Sequence, residues 1–329
     1  MTTVYFATNR NPDSAEKPTS FGEDFSENGY GDLRFGKAEV NLGVLVSGSI
    51  DVLPDNAKEG SKELLKELRT SMKADEVDTL IFIHGFNVSF EDAVKSAGRM
   101  SDKYKELSDG KYIPNVFVFS WPSDGSVIKY FDDRHDAVAS GYAFARGLMK
   151  LITFLRATPK KEACEQKINL IAHSMGNYVL RHALQQVKKI VEGGVLSRVF
   201  DNIILTAADE DSDSFELDYK LAQLPDLAQR ITVYFNNDDL TLKISDDLKG
   251  NPDRLGHDGA TKPHQLSAKI VLVDASEVVT GDIHERHSYH LLNDTVVKDI
   301  VSVLQSERSD SKKLSREYVP HANKFRLVQ

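Results

Sequence analysis

Eight short apolar runs, spaced along the chain by longer amphipathic stretches, set the tightest limit on its fold. They are TVYFAT (3–8), EVNLGVLV (39–46), TLIFIHGF (79–86), NVFVFSW (115–121), INLIAHS (168–174), NIILTAAD (202–209), ITVYFNND (231–238) and KIVLVDAS (269–276). Rich in β-branched and aromatic residues, they read as strands. From the third onward they are continuously apolar rather than alternating. A strand apolar on both sides needs cover on both faces of its sheet, and such sheets are mostly parallel. The segments between carry helical patterns: 57–74, with Leu64, Leu65, Leu68 and Met72 in register; 89–107, opened by Ser89 and Asp92 in the manner of a capping box; then 130–157, 176–192 and 290–307.

Strands alternating with helices build βαβ units. The expectation is an α/β fold in one domain over residues 1–307, with a mostly parallel sheet of about eight strands covered by helices on both faces. A chain of 329 residues suits one large α/β domain with insertions. Residues 11–36 are polar and turn-rich, and 308–329 read as a charged C-terminal tail outside the core. The segments 123–157 and 246–266 are expected to cover the carboxyl edge of the sheet and shape a pocket there.

Composition narrows function by exclusion. A formal charge of −9 disfavours a nucleic-acid partner and docking on an anionic membrane. The single cysteine, Cys164, forms no intramolecular disulfide and no zinc-holding cluster. The apolar runs reach about eight residues, against roughly 20 for a membrane span. The start of the chain has no secretory pattern, so the expected compartment is the cytoplasm. HERHSYH (284–290) spaces three histidines by three but lacks a Glu-x-x-His pairing, so no metal is expected. No Gly-x-x-x-x-Gly-Lys phosphate loop occurs, and no cofactor is expected.

The stretch NLIAHSMGNYVL (169–180) puts a serine where a buried strand gives way to a helix. A hydroxyl there adds nothing to packing. On a tight strand-to-helix turn it stands above the carboxyl ends of the strands, and small residues flank it because strand and helix approach closely. Ala172-His173-Ser174-Met175-Gly176 keeps the second glycine of the Gly-x-Ser-x-Gly pattern and has alanine for the first. The competing reading is a serine that only caps the helix. To act as a nucleophile, Ser174 needs a histidine base and an acid that orients it, arriving in the order Ser, acid, His.

After the last strand come His284, His287 and His290. His287 is expected on the loop just before the closing helix, where such a base belongs. His284 is the second choice, and His290 would help to open the helix. For the acid, Asp238 and Asp239 follow one strand and Asp209 the strand before it. Oxyanion donors would be the backbone N–H groups of Met175, directly after the nucleophile, and of Phe86, after the His84-Gly85 step. His84 would hold that loop. Trp121, Asn87 and His173 are candidates for the pocket, Trp121 equally for the core. Arg10 would pair with an acid rather than hold a substrate anion.

LIFIHGFN, VFSWPSDG, INLIAHSMGN, IILTAADED, VYFNNDDLTLKIS, RLG and HSYH occur in this order, after an early FATNR. Together they resemble the α/β-hydrolase superfamily, and within it a bacterial family catalogued as a hydrolase-like domain of unknown function. The resemblance covers nearly the whole chain, weakly in 11–60 and not in the tail. It implies a Ser–Asp–His triad. In the family the acid is followed by two residues and a leucine, with a serine three further on. Asp239, Leu242 and Ser245 match, so the acid maps to Asp239. The base maps to His287, ahead of Ser288 and Tyr289. The expected activity is carboxylesterase-like hydrolysis of a small ester-like substrate. The alternatives are an amidase, thioesterase or lipase using the same residues, or a hydrolase-fold binding or scaffold protein without turnover. No long apolar lid is legible, which disfavours an interfacial lipase.

Overall fold

Every apolar run becomes strand, one of them divided between two strands, and the helical patterns fall between them. The computed structural model describes residues 1–329 apart from 54–59, 124–129, 160, 161, 192, 194 and 244–252. The strands are β1 (Thr2–Thr8), β2 (Arg10–Pro12), β3 (Phe21–Phe25), β4 (Arg34–Asn41), β5 (Val44–Leu45), β6 (Asp51–Leu53), β7 (Thr79–Ile83), β8 (Asn115–Ser120), β9 (Ile168–His173), β10 (Phe200–Thr206), β11 (Ala228–Phe235), β12 (Ile270–Asp274), β13 (Arg316–Val319) and β14 (Lys324–Leu327). The helices are α1 (Gly60–Asp75), α2 (Phe90–Leu107), α3 (Tyr130–Ala157), α4 (Gly176–Ile190), the short α5 (Leu224–Leu227), α6 (Leu255–Asp258), α7 (Ile283–His287) and α8 (Tyr289–Leu292), and α9 (Asp294–Leu304).

The main sheet has twelve strands, not about eight, in the order β13-β14-β12-β11-β10-β9-β7-β8-β1-β4-β5, with β6 also paired to β4. The run from β14 through β12, β11, β10, β9, β7 and β8 to β1 is parallel throughout. The remaining strands are antiparallel additions at the two margins. The four strands of this sheet absent from the sequence reading are β5, β6, β13 and β14. EVNLGVLV is one apolar run but two strands, because Leu42 (φ 48°) and Gly43 (φ 74°) turn the chain back on itself. Residues 308–329 carry the β13–β14 hairpin, whose charged, four-residue strands lack an apolar run. Even so, β14 runs parallel to β12 and buries Leu327 completely. Arg316 is clamped on Asp299 of α9, with Nη2 at 2.5 Å and Nε at 2.8 Å. Within 11–36, β2 and β3 form a separate two-stranded ribbon.

Both faces of the parallel strands are covered. In β7, Leu80 and Phe82 join the core under α2 and α9, while Ile81 and Ile83 join the core under α1, α3 and α4. This two-sided burial is why the run has no polar alternation. Gly141 lets α3 lie close on α4, since a Cβ there would stand 2.5 Å from His182 Cβ. Ser89 caps α2 by accepting from Asp92 N, but the Asp92 carboxylate takes the Ser89 hydroxyl, so the box is one-sided. The closing helix breaks at Asn293, whose side chain accepts from Val296 N and starts α9. Of the two segments expected over the carboxyl edge, 124–129 and 246–252 lie outside the described residues, as does Ser245. In the second, the α6 turn sits directly on the loops after β10 and β11, through Gly256 N to Ala208 O and Asn236 N to Gly256 O. Among the described residues, no helix is long and apolar enough to cross a membrane.

Candidate active site

The turn from β9 into α4 holds Ser174 with φ at 51°, a left-handed conformation that is costly for any residue with a Cβ. Three contacts hold it there. Ser174 N donates to Thr206 O at 3.0 Å, Ser174 O accepts from Asp209 N at 3.2 Å, and Asn177 Nδ2 donates to Ser174 O and Ala172 O at 3.0 and 3.1 Å. Asn177 went unnoticed in the sequence; its signal is a polar residue on the buried face of the first turn of α4. Gly176 is small for a reason the motif implies, since a Cβ there would meet the Ile83 and His84 carbonyl oxygens at 2.6 Å.

His287 faces the serine. Its Nε2 lies 2.9 Å from Ser174 Oγ and its Nδ1 2.7 Å from Asp239 Oδ2. With the carboxylate accepting from Nδ1–H, Nε2 is left to accept from the serine hydroxyl. Asp239 is fully buried, and its other oxygen accepts from Thr241 N at 3.1 Å and Leu242 N at 3.2 Å. Asp238 turns outward toward Arg286, 3.7 Å away. Asp209 is engaged elsewhere: it accepts from Tyr130 OH at 2.5 Å and lies 3.6 Å from Arg254 Nε and 3.9 Å from Arg134 Nη1. Only Asp239, of the three candidate acids, reaches His287.

His287 is not on a loop. It ends the short helix α7, which Asp282 and Glu285 start with a reciprocal capping box. The residues after it anchor that end. The Tyr289 hydroxyl, fully buried, accepts from Ala207 N at 2.7 Å and donates to Tyr234 O at 2.9 Å, bridging the ends of β10 and β11. The His173 ring stacks on His290, centroids 4.2 Å apart, and its Nε2 donates to the His287 carbonyl at 3.1 Å. Burial holds both rings neutral: it pushes His290 down to about 3 and His173 well below the usual histidine range. His284 is exposed at α7, so the three histidines of HERHSYH point to different surroundings rather than to one centre.

The loop after β7 completes the edge. His84 is buried, and its Nδ1 donates to Gly85 O at 2.8 Å while its Nε2 accepts from Trp121 N at 3.1 Å. The Trp121 indole N–H returns a bond to His84 O at 2.9 Å, and the rings stack within 6°. Burial first, then the nearby Arg10 charge, pushes His84 down to about 3. Trp121 is fully buried and commits both its N–H groups to His84, while Asn87 is exposed at φ 57°. Gly85 must be glycine, since a Cβ would stand 2.8 Å from Ser174 Cβ. Among the described residues, neither Phe86 N–H nor Met175 N–H donates to an internal acceptor. Arg10 is wholly buried. It donates to Ser120 Oγ, Gly22 O and Val88 O, tying β8, the β2–β3 ribbon and this loop together.

Comparison with known proteins places the fold in a family. A family model described as "Alpha/beta hydrolase of unknown function (DUF900)" matches residues 58–307. An uncharacterized protein of Nostoc sp., alr1448, is 30% identical over an alignment of 171 residues that covers 46% of this chain and 42% of that protein. The chain thus spans less than half the length of that relative.

Proposed function

Since the chain belongs to a family of α/β hydrolases of unknown function, we propose that it is a serine hydrolase cleaving an ester-like bond in a small-molecule substrate. One observation carries the reading: an unbroken hydrogen-bonded line from Ser174 through His287 to buried Asp239, beginning at a serine held at positive φ. A strained serine on a strand-to-helix turn exposes its hydroxyl, and the line supplies the base and the orienting acid. Ser174 Oγ attacks the carbonyl carbon while His287 Nε2 takes its proton. Asp239 keeps Nδ1 protonated and offsets the charge on the imidazolium. The uncommitted N–H groups of Phe86 and Met175 are the donors for the oxyanion. His287 then gives its proton to the leaving alcohol, and water, activated by the same imidazole, releases the acid and restores Ser174.

The test is labelling with a fluorophosphonate probe, read by peptide mass spectrometry, on the wild type, Ser174→Ala and His287→Ala. The expected result is an adduct on Ser174 in the wild type, and none there in either variant. A folded wild-type protein that takes no label would sink the proposal and favour a binding or scaffold role.

A further inference from the structure

On the side of the sheet covered by α1 and α3, the core is not filled. A cavity of about 150 Å³ lies between these helices and β1, β4, β7, β8 and β9. Its walls include Leu65, Leu68, Phe117, Phe119, Phe144 and Leu148. Protein interiors pack as densely as organic crystals, so a void of this size is a departure from the rest of the core. Ser174, His287 and Asp239 take no part in its lining. Apolar cavities of about this volume stay dry and accept a guest of roughly six carbons.

The rim is polar and cationic. Arg69, Thr158 and Gln166 line the cavity beside the apolar residues. At Arg69 it adjoins a shallow depression carrying Thr70, Lys73 and Glu162. Arg69 donates to Thr158 Oγ1 at 3.2 Å and lies 3.3 Å from Glu162, whose side chain is 47% exposed. Arg69 itself is half-buried, its guanidinium 5.2 Å over the ring of Phe154, another wall residue, so the cation is held at the mouth of the cavity with Glu162 on its solvent side. Thr79 lies behind the wall: it is 1% exposed, and its hydroxyl has no hydrogen-bond partner among the described residues.

We propose that this cavity binds a medium-chain aliphatic carboxylate, its tail of about six to eight carbons in the void and its head at Arg69. The site is separate from Ser174 and does not rest on the hydrolase reading.

Calorimetric titration of the full chain with octanoate, and with 1-octanol as the uncharged control, tests it. The wild type should bind one octanoate. Arg69→Gln should weaken octanoate about five-fold or more and leave octanol unchanged. Gly147→Leu should weaken both about ten-fold or more. Gly147 lines the void, and a Cβ there meets only Leu33 Cδ1, at 3.7 Å, so a leucine has room to grow into the space. A diazirine-bearing octanoate, photolysed on the wild-type protein and mapped by peptide mass spectrometry, needs no variant to fold. Its adducts should fall on peptides of α1 and α3. The proposal is overturned by the absence of saturable binding, by binding unchanged in a folded Gly147→Leu, or by adducts confined to peptides bearing Ser174 or His287.

Discussion

Replacing Asp239 by asparagine is the sharpest probe of the line from serine to acid, because the structure dictates how the amide must sit. Asp239 Oδ1 accepts from two backbone donors, Thr241 N–H and Leu242 N–H. In Asp239→Asn only the amide oxygen can take that place, since an NH₂ group there would oppose two N–H groups. The NH₂ end is therefore turned toward His287 Nδ1, 2.7 Å away in the native arrangement. Nδ1 must then accept, which moves the imidazole proton to Nε2 and leaves nothing to take the proton from Ser174. Loss of the correct tautomer with geometry intact costs about 10⁴ in kcat, or about 5.4 kcal/mol of transition-state stabilisation. Both backbone bonds survive, so the fold should lose no more than about 2 kcal/mol, or roughly 3 °C in Tm for a chain of this length. The assay is p-nitrophenyl acetate hydrolysis with melting followed in parallel, and Asp238→Asn as control. Asp238 is exposed, and its substitution should leave the rate unchanged. A rate within ten-fold of wild type in folded Asp239→Asn, or an equal loss in Asp238→Asn, would refute the reasoning.

Other consequences are as concrete. Gly85→Ala would set a Cβ 2.8 Å from Ser174 Cβ; it should lower fluorophosphonate labelling at least about ten-fold and stability by about 1–3 kcal/mol, and normal labelling would show the loop to be slack. Acid should destabilise the fold. Burial depresses His84 and His290 to about 3 and His182 to about 4, so the unfolded chain takes up protons first as pH falls below about 6.5. Relative to pH 7.5, these groups remove about 6 kcal/mol at pH 5, and Glu210, raised to about 7 by burial, returns about 2 kcal/mol. The urea midpoint should therefore fall between pH 7.5 and 5; an unchanged or rising midpoint would contradict it. Arg316→Met leaves Asp299 buried without its cation and should cost about 3–5 kcal/mol by urea titration, whereas a loss under about 1 kcal/mol would mean that the terminal hairpin is merely laid on the sheet.

Much of this was legible along the chain because it is governed by neighbours in sequence. Continuous apolar runs mark strands buried on two faces, and the Ala-x-Ser-x-Gly turn marks Ser174 because tight backbone crossings admit only small residues. Legibility failed where the determinant was a partner far away. The hairpin at 316–327 looks like a polar tail, since its strands are held by β12 and by Asp299 rather than by an apolar run of their own. His287 reads as a loop residue, because a five-residue helix between caps leaves almost no periodicity. Arg10 reads as the partner of an acid, yet it is buried and donates to Ser120 Oγ, Gly22 O and Val88 O, brought together from three separate segments.

The sequence by itself determined the alternation of strand and helix, the parallel core and the position of the strand-to-helix turn that bears Ser174, all properties of local pattern and steric size. Among Asp209, Asp238 and Asp239, sequence and resemblance could name a preference, but only the tertiary structure placed one of them 2.7 Å from His287 Nδ1. That choice depends on where the β11 loop and α7 meet, across 48 residues of chain. Tyr289 and Asn236 secure the meeting by side-chain bonds to backbone groups of other segments. A hydrogen bond is decided by tenths of an ångström, and such positions exist only once the whole sheet has assembled.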